Sequence, residues 1–221
     1  MRSEMKIKNY NLKIGKKTLL KNINFEIQPH MLNVLIGQNG VGKTLILNLI
    51  SNLDNNRPIE FIDFPKSKDI IYQTQGVPFI AEVTIRQTIK LLMKISGGHS
   101  EDINLKNLPD IVKKNLDIRF GNLSGGERRF VVIWAILHIN RDLYILDEPF
   151  SNLDPLIMKQ LMDIIYEKIN QGKTIILTTH QYDDIKIENT YVTFFRNQGI
   201  DFTGTMKNFV NNYSSLRDAF F

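Results

Sequence analysis

Apolar residues along the chain fall into short dense runs and into helically spaced stripes, and the two patterns alternate. Met5-Lys6-Ile7-Lys8 and Ile23-Asn24-Phe25-Glu26-Ile27 alternate apolar and polar positions, the period of half-exposed strands, with a turn at Gly15-Lys16-Lys17 between them. Met31-Leu32-Asn33-Val34-Leu35-Ile36 is a short apolar run that predicts a buried strand. Residues 44–53 follow with Leu45, Leu47, Leu49, Ile50 and Leu53 in a helix-like run. Two further strands are expected around Glu60-Phe61-Ile62 and Ile70-Ile71-Tyr72. From about residue 84 to 139 the period turns helical, over 86–95, 109–116 and 125–139. Leu143-Tyr144-Ile145-Leu146 predicts a buried strand, and 155–169 an amphipathic helix with Pro155 near its start, where proline is tolerated. Residues 173–179 are apolar and β-branched, a strand pattern. Residues 191–195 and 200–202 flank Asn197-Gln198-Gly199 and predict a hairpin.

Strands alternating with helices imply an α/β fold with a mostly parallel sheet between helical layers. The helical stretch at about 84–124 interrupts that alternation and is expected to be an inserted lobe. The chain then reads as one domain over 1–221. Residues 1–30 form an N-terminal antiparallel β part, and 31–83 with 125–221 form the core.

The chemistry concentrates where the first buried strand meets its helix. Residues 37–44 read Gly37-Gln38-Asn39-Gly40-Val41-Gly42-Lys43-Thr44 and fit G-x-x-x-x-G-K-[ST] at every fixed position. Glycines let the backbone curl until successive N–H groups point at phosphate oxygens. Lys43 puts a compact cation on the β- and γ-phosphates, and the Thr44 hydroxyl can bind Mg²⁺. Strand, glycine loop and helix start in that order aim a helix dipole at an anion, so the core is expected to be a P-loop NTPase.

Composition narrows this reading. The chain has 221 residues and can bury roughly 70% of its unfolded surface without covalent staples. It has no Cys, which excludes disulfides and thiolate metal sites and fits a reducing compartment. Its start has no apolar core of signal-peptide length, and no stretch approaches the ~18 apolar residues of a membrane helix, so a soluble protein is expected. The net charge of +5 is spread along the chain, so no nucleic-acid partner is expected.

Further downstream, Asp147 and Glu148 end the strand at Leu146, where a parallel strand faces its ligand crevice. Asp147 is placed to hold Mg²⁺ through water, and Glu148 to orient or deprotonate an attacking water. Leu123-Ser124-Gly125-Gly126-Glu127 opens a helix. Its free N–H groups can bind an anion, although an ordinary capping box explains the same residues better on physics alone. Asn152-Leu153-Asp154-Pro155 likewise reads as an N-cap. His180 follows the strand at 173–179, where it can reach a γ-phosphate, though a lone His at a strand end is more often structural. Gln75, just past the strand at Tyr72, attracts no notice alone.

In this order, GQNGVGKT at 37–44, Gln75, LSGGE at 123–127, LYILDEP at 143–149, SNLD at 151–154 and TTH at 178–180 resemble the ATP-binding-cassette (ABC) ATPases. The resemblance implies two cassettes associated head to tail, each ATP held between the glycine loop of one and the LSGGE of the other. Ser124, Gly125 and Gly126 would contact the partner's γ-phosphate, and Asp154 would help form the seam. Glu148 would be the base, His180 would stabilise the γ-phosphate, and Gln75 would link Mg²⁺ to the region touching a membrane partner. The expected activity is ATP hydrolysis coupled to solute movement, with export the expected direction, through a separate integral membrane permease. The chain would sit in the cytoplasm on the inner face of the cell membrane. A soluble ABC ATPase of assembly or repair is the alternative. A monomeric nucleotide kinase or GTPase does not account for LSGGE with SNLD and His180. The stretch between the glycine loop and Gln75 is short, as is the helical lobe, and two further departures stand out. Ile14 occupies the position where the family usually stacks an aromatic on adenine, with Tyr10 four residues earlier. Glu127 replaces a commoner Gln. The ending Ser215-Leu216-Arg217-Asp218-Ala219-Phe220 resembles drug- and bacteriocin-export cassettes.

Overall fold

The computed structural model describes residues 4–76, 80–95, 108–179 and 185–213. Two sheets form. β1 (Met5–Ile14) and β2 (Lys17–Ile27) pair antiparallel around a turn at Gly15 and Lys16, with Gly15 at φ 54. A two-residue β4 (Phe61–Ile62) adds to the free edge of β1, so the strand expected near residue 61 joins the antiparallel sheet and not the parallel one.

The larger sheet has the order β5-β6-β7-β3-β8-β9. β5 (Ile70–Gln73), β6 (Leu143–Asp147), β7 (Thr174–Thr178), β3 (Leu32–Gly37) and β8 (Thr190–Arg196) run parallel. β9 (Gly199–Thr205) closes the edge antiparallel to β8 across the expected hairpin. Asn197 and Gln198 both take positive φ there (51 and 61), the backbone of a tight hairpin turn that follows strand twist.

β3, β6 and β7 are buried at every position because layers cover both sheet faces. Val34, Ile36, Leu146, Ile175 and Leu177 face a cluster with helices α4 (Gly125–Leu137) and α5 (Pro155–Asn170). Leu35, Ile145 and Ile176 face the opposite cluster with α1 (Lys43–Ser51) and the inner side of β1 and β2. The unbroken apolar runs of the sequence are therefore two-sided strands.

α2 (Ile85–Ile95) and α3 (Asp110–Lys114) lie between β5 and α4 in the chain. Residues 83–86 and 116–120 are tied side by side by Ile85 N to Ile118 O (3.1 Å), Arg86 N to Leu116 O (2.9 Å) and Phe120 N to Val83 O (2.7 Å). Ile85, Val112 and Phe120 are buried in the same apolar cluster as Trp134 of α4, so this segment is packed onto the core through α4. The helix expected at 109–116 is shorter, five residues, and α4 stops at Leu137 with His138 as its C-cap. A final helix, α6 (Met206–Asn212), was not expected; Thr205 caps it by accepting from Asn208 N. No described helix is long and apolar enough to cross a membrane.

Candidate functional site

The glycine loop joins β3 to α1 at the C-terminal edge of the parallel sheet, where open α/β sheets place their ligands. Two of its glycines have steric causes. A Cβ on Gly37 would stand 3.0 Å from Phe195 Cβ on the neighbouring β8. Gly42 has φ 110, and a Cβ there would meet Leu12 Cδ2 at 2.5 Å. Gly42 is also the N-cap of α1 and offers no side-chain oxygen, so no side-chain cap occupies the first-turn N–H groups. Lys43 curls back along the loop and donates to Gly37 O (2.7 Å) and Gln38 O (3.1 Å). Burial pulls its ammonium below the usual lysine range, and the carboxylates of Glu148 and Asp147 work against that shift.

These groups line an open cavity of about 560 Å³, within the range of nucleotide-sized sites. Its lining runs from Asn39, Gly40, Gly42, Lys43, Thr44 and Leu45 of the loop and helix start to Gln75 and Glu148 and to Ile14 and Leu19 of the antiparallel sheet. Gln38 and Val41 complete the loop, tied by Val41 N to Gln38 O (3.3 Å).

Asp147, only 1% exposed, is the hinge of the acidic end. Its Oδ2 accepts from Thr44 Oγ1 at 2.7 Å and its Oδ1 from Thr178 Oγ1. Thr178 Oγ1 in turn accepts from Glu148 N (2.9 Å), so the starts and ends of α1, β6 and β7 are locked together. Glu148 holds φ 48, in the left-handed region. Its Oε2 accepts from Ser151 Oγ (3.1 Å), and its backbone carbonyl from Arg129 Nη1 (2.6 Å). Arg129 Nη2 donates to Gln75 O (3.0 Å). Burial lowers the Arg129 guanidinium from its ordinary value, partly offset by Glu148.

A divalent ion fits this donor set. Thr44 and Asp147 supply adjacent oxygens, and the described residues contain no cluster of three or more His, Cys, Asp or Glu that would cage a metal alone. Mg²⁺ characteristically takes one or two protein oxygens and completes its shell with phosphates and water.

Ser124, Gly125, Gly126 and Asp154 are not among the residues that line the cavity. Ser124 caps α4 in a full capping box: its hydroxyl accepts from Glu127 N (3.2 Å), and Glu127 Oε2 accepts from Ser124 N (2.8 Å). The capping role expected from physics is therefore present, and Glu127 serves it directly. Ser124 and Gly125 are exposed and do not line the cavity of their own chain. A Cβ on Gly126 would lie 3.2 Å from Asn152 O, so the 151–154 loop packs against the start of α4. Asp154 caps α5, accepting from the N–H groups of Leu156 and Ile157 at 3.0 Å each. His180 and residues 215–220 lie outside the described residues.

Ile14, which lines the cavity, is 55% exposed, and no aromatic side chain lines the cavity among the described residues. Tyr10 does not substitute. Its ring stands edge-on to Phe61, with centroids 5.0 Å apart, on the antiparallel sheet.

Sequence reasoning missed Arg129, Ser151 and Thr178 as partners of the acidic end. Their contacts to Glu148 run through backbone atoms or a local turn, which leave no spacing pattern.

The model of the ABC transporter family matches residues 20–151, more than half of the chain. An uncharacterised ABC transporter ATP-binding protein of Methanocaldococcus jannaschii is 30% identical over 194 residues, covering 84% of this chain and 71% of its own. The zinc import ATP-binding protein of Rickettsia conorii is 30% identical over 181 residues, covering 80% and 76%. A solved ATP-binding subunit of an ABC transporter superposes with a TM-score of 0.76 at 19% identity, over 96% of this chain and 94% of that one, which shows the shared fold. This chain belongs to the ABC transporter family, as an ATP-binding subunit with that family's ATPase activity.

Proposed function

We propose that this chain works as one of two cassettes that close on each other around ATP and drive a separate integral membrane permease. The observation carrying the reading is a division of labour in space. Lys43, Thr44 and Glu148 share one cavity, whereas Ser124 and Gly125 are exposed and do not line it. A helix start outside its own chain's cavity supports a site completed between two chains, in which it serves a phosphate bound by the second cassette.

Within the cavity, Lys43 and the loop N–H groups hold the β- and γ-phosphates, at the foot of the α1 dipole. Thr44 and Asp147 would hold Mg²⁺, which would supply positive charge beside the phosphate oxygens. Glu148 orients the attacking water and takes its proton, with His180 donating to the γ-phosphate. Gln75 bridges the metal region and the permease-facing surface. Ser124, Gly125 and Gly126 complete the site of the partner cassette, and Asp154 stands at the seam.

The protein acts from the cytoplasmic side, at the membrane through its permease. Export is supported by the match at 215–220, while the zinc import name of one relative favours the reverse direction. The test is to recover tagged Glu148→Gln protein, with ATP, from gently solubilised native membranes. A polytopic membrane protein is the expected companion, and transport assays with it fix the direction. Recovery of soluble partners alone at every detergent level would favour an assembly or repair ATPase instead.

A further inference from the structure

Glu148 holds φ 48 although it carries a full side chain. Such a conformation persists only where surrounding groups over-determine it, and it concentrates at functional sites. Three described residues hold Glu148, Ser151 from its own turn and Arg129 and Thr178 from distant elements. The Thr178 hydroxyl accepts its N–H, the Ser151 hydroxyl donates to its carboxylate, and Arg129 donates to its carbonyl at 2.6 Å. Of the three, Arg129 also binds a second site loop, through Nη2 to Gln75 O at 3.0 Å.

The location of Arg129 gives this fork a meaning. It stands four residues after Gly125 on α4, one turn along the same helix face. Its two acceptors are backbone carbonyls of two loops that both reach the cavity wall. A planar guanidinium can donate to both at once from a fixed geometry; a lysine ammonium is a single flexible point and cannot reproduce the fork. Arg129 itself does not line the cavity.

We propose that Arg129 is a positioning residue for ATP hydrolysis: by bridging the carbonyls of Glu148 and Gln75, it holds both loops in register with the helix that starts at Ser124. The inference rests on Glu148 acting as the base. A displacement of the α4 start then reaches Glu148 through the hydrogen-bonded guanidinium of Arg129, so the helix end offered to the second cassette and the base of the chain's own cavity are coupled.

The test uses four full-length proteins: wild type, Arg129→Lys, Glu148→Gln and the double variant. For each, kcat, nucleotide Kd and Tm are measured. Arg129→Lys is expected to lower kcat by about tenfold or more, the scale of losing a charge-assisted hydrogen bond at the reacting geometry. Nucleotide Kd should stay within about twofold, because Arg129 does not reach the cavity. In the Glu148→Gln background the same change should cost at least several-fold less, because the part of its effect that runs through the Glu148 base is already lost. Near-normal kcat in Arg129→Lys, or an equal loss in both backgrounds, would overturn the inference. Retained turnover in Glu148→Gln alone would overturn the base assignment, a separate failure. If Arg129→Lys lowers Tm sharply, Arg129→Gln replaces it, with the same pattern expected and the same results decisive.

Discussion

Replacing Ile14 by tyrosine should tighten nucleotide binding. Ile14 lines the cavity and is 55% exposed, Leu19 lines it as well, and no described aromatic does. A base stacked on an aromatic ring gains ~1–3 kcal/mol. Against this stands the lost aliphatic contact. Full burial of an isoleucine side chain is worth about 1.5–3 kcal/mol, and roughly half of Ile14 remains to be covered, so that term is ~1 kcal/mol. The net gain is on the order of 1 kcal/mol, or about fivefold in Kd. Ile14 lies at the end of β1 beside the turn, where a tyrosine suits the strand, and Tm should hardly move. The assay is calorimetric titration of Mg-ATP and Mg-GTP in a Glu148→Gln background, which keeps the nucleotide intact. Wild-type Ile14 should bind ATP and GTP within about tenfold of each other, a gap of roughly 1.4 kcal/mol. Ile14→Tyr should tighten both. A strong ATP preference with Ile14 in place, or no change on adding the ring, would show that the base does not lie over this position.

Two other outcomes follow from the same cavity. The lowered pKa of Lys43 means that the folded protein releases its proton below the unfolded value of 10.5. The unfolded chain therefore binds more protons in that window, and ligand-free stability gains from this group as pH rises through it. Nucleotide affinity moves the opposite way, because the neutral amine no longer attracts phosphate. Titrating Kd from neutral pH to 10.5 should show weakening that begins below the ordinary lysine range; a flat profile up to 10.5 would refute the role of the Lys43 charge. Asp154→Ser keeps an N-cap oxygen for Leu156 and Ile157 and removes the carboxylate. Tm should change by no more than a few tenths of a kcal/mol equivalent, while ATP-dependent pairing of cassettes weakens. Unchanged pairing would leave Asp154 as a helix cap alone.

Much of this site was legible because its chemistry is local. The glycine loop, the Asp147-Glu148 pair and the helix starts at Ser124 and Asp154 each occupy a few consecutive residues, bounded by runs with clear periods. The strands were legible for the same reason: burial on both faces makes β3, β6 and β7 unbroken apolar runs. Strand order was not, since β3 lies between β7 and β8 through pairings that link distant segments. The two-residue β4 depends on the edge of β1, and α6 is a short helix resting on Phe194 and Phe202, so tertiary contacts decide both. Arg129 was invisible because its acceptors are main-chain carbonyls, which any residue supplies. The left-handed backbone at Glu148 was equally silent, because the sequence there carries no glycine to mark it.

The most direct measurement is the mass of Glu148→Gln protein in solution by light scattering, with and without Mg-ATP, beside its turnover. The expected result is a dimer with ATP, a monomer without it, and kcat reduced by at least about a hundredfold, the scale of losing a general base. A monomer at saturating ATP, or near-normal turnover, would contradict a shared site whose base is Glu148.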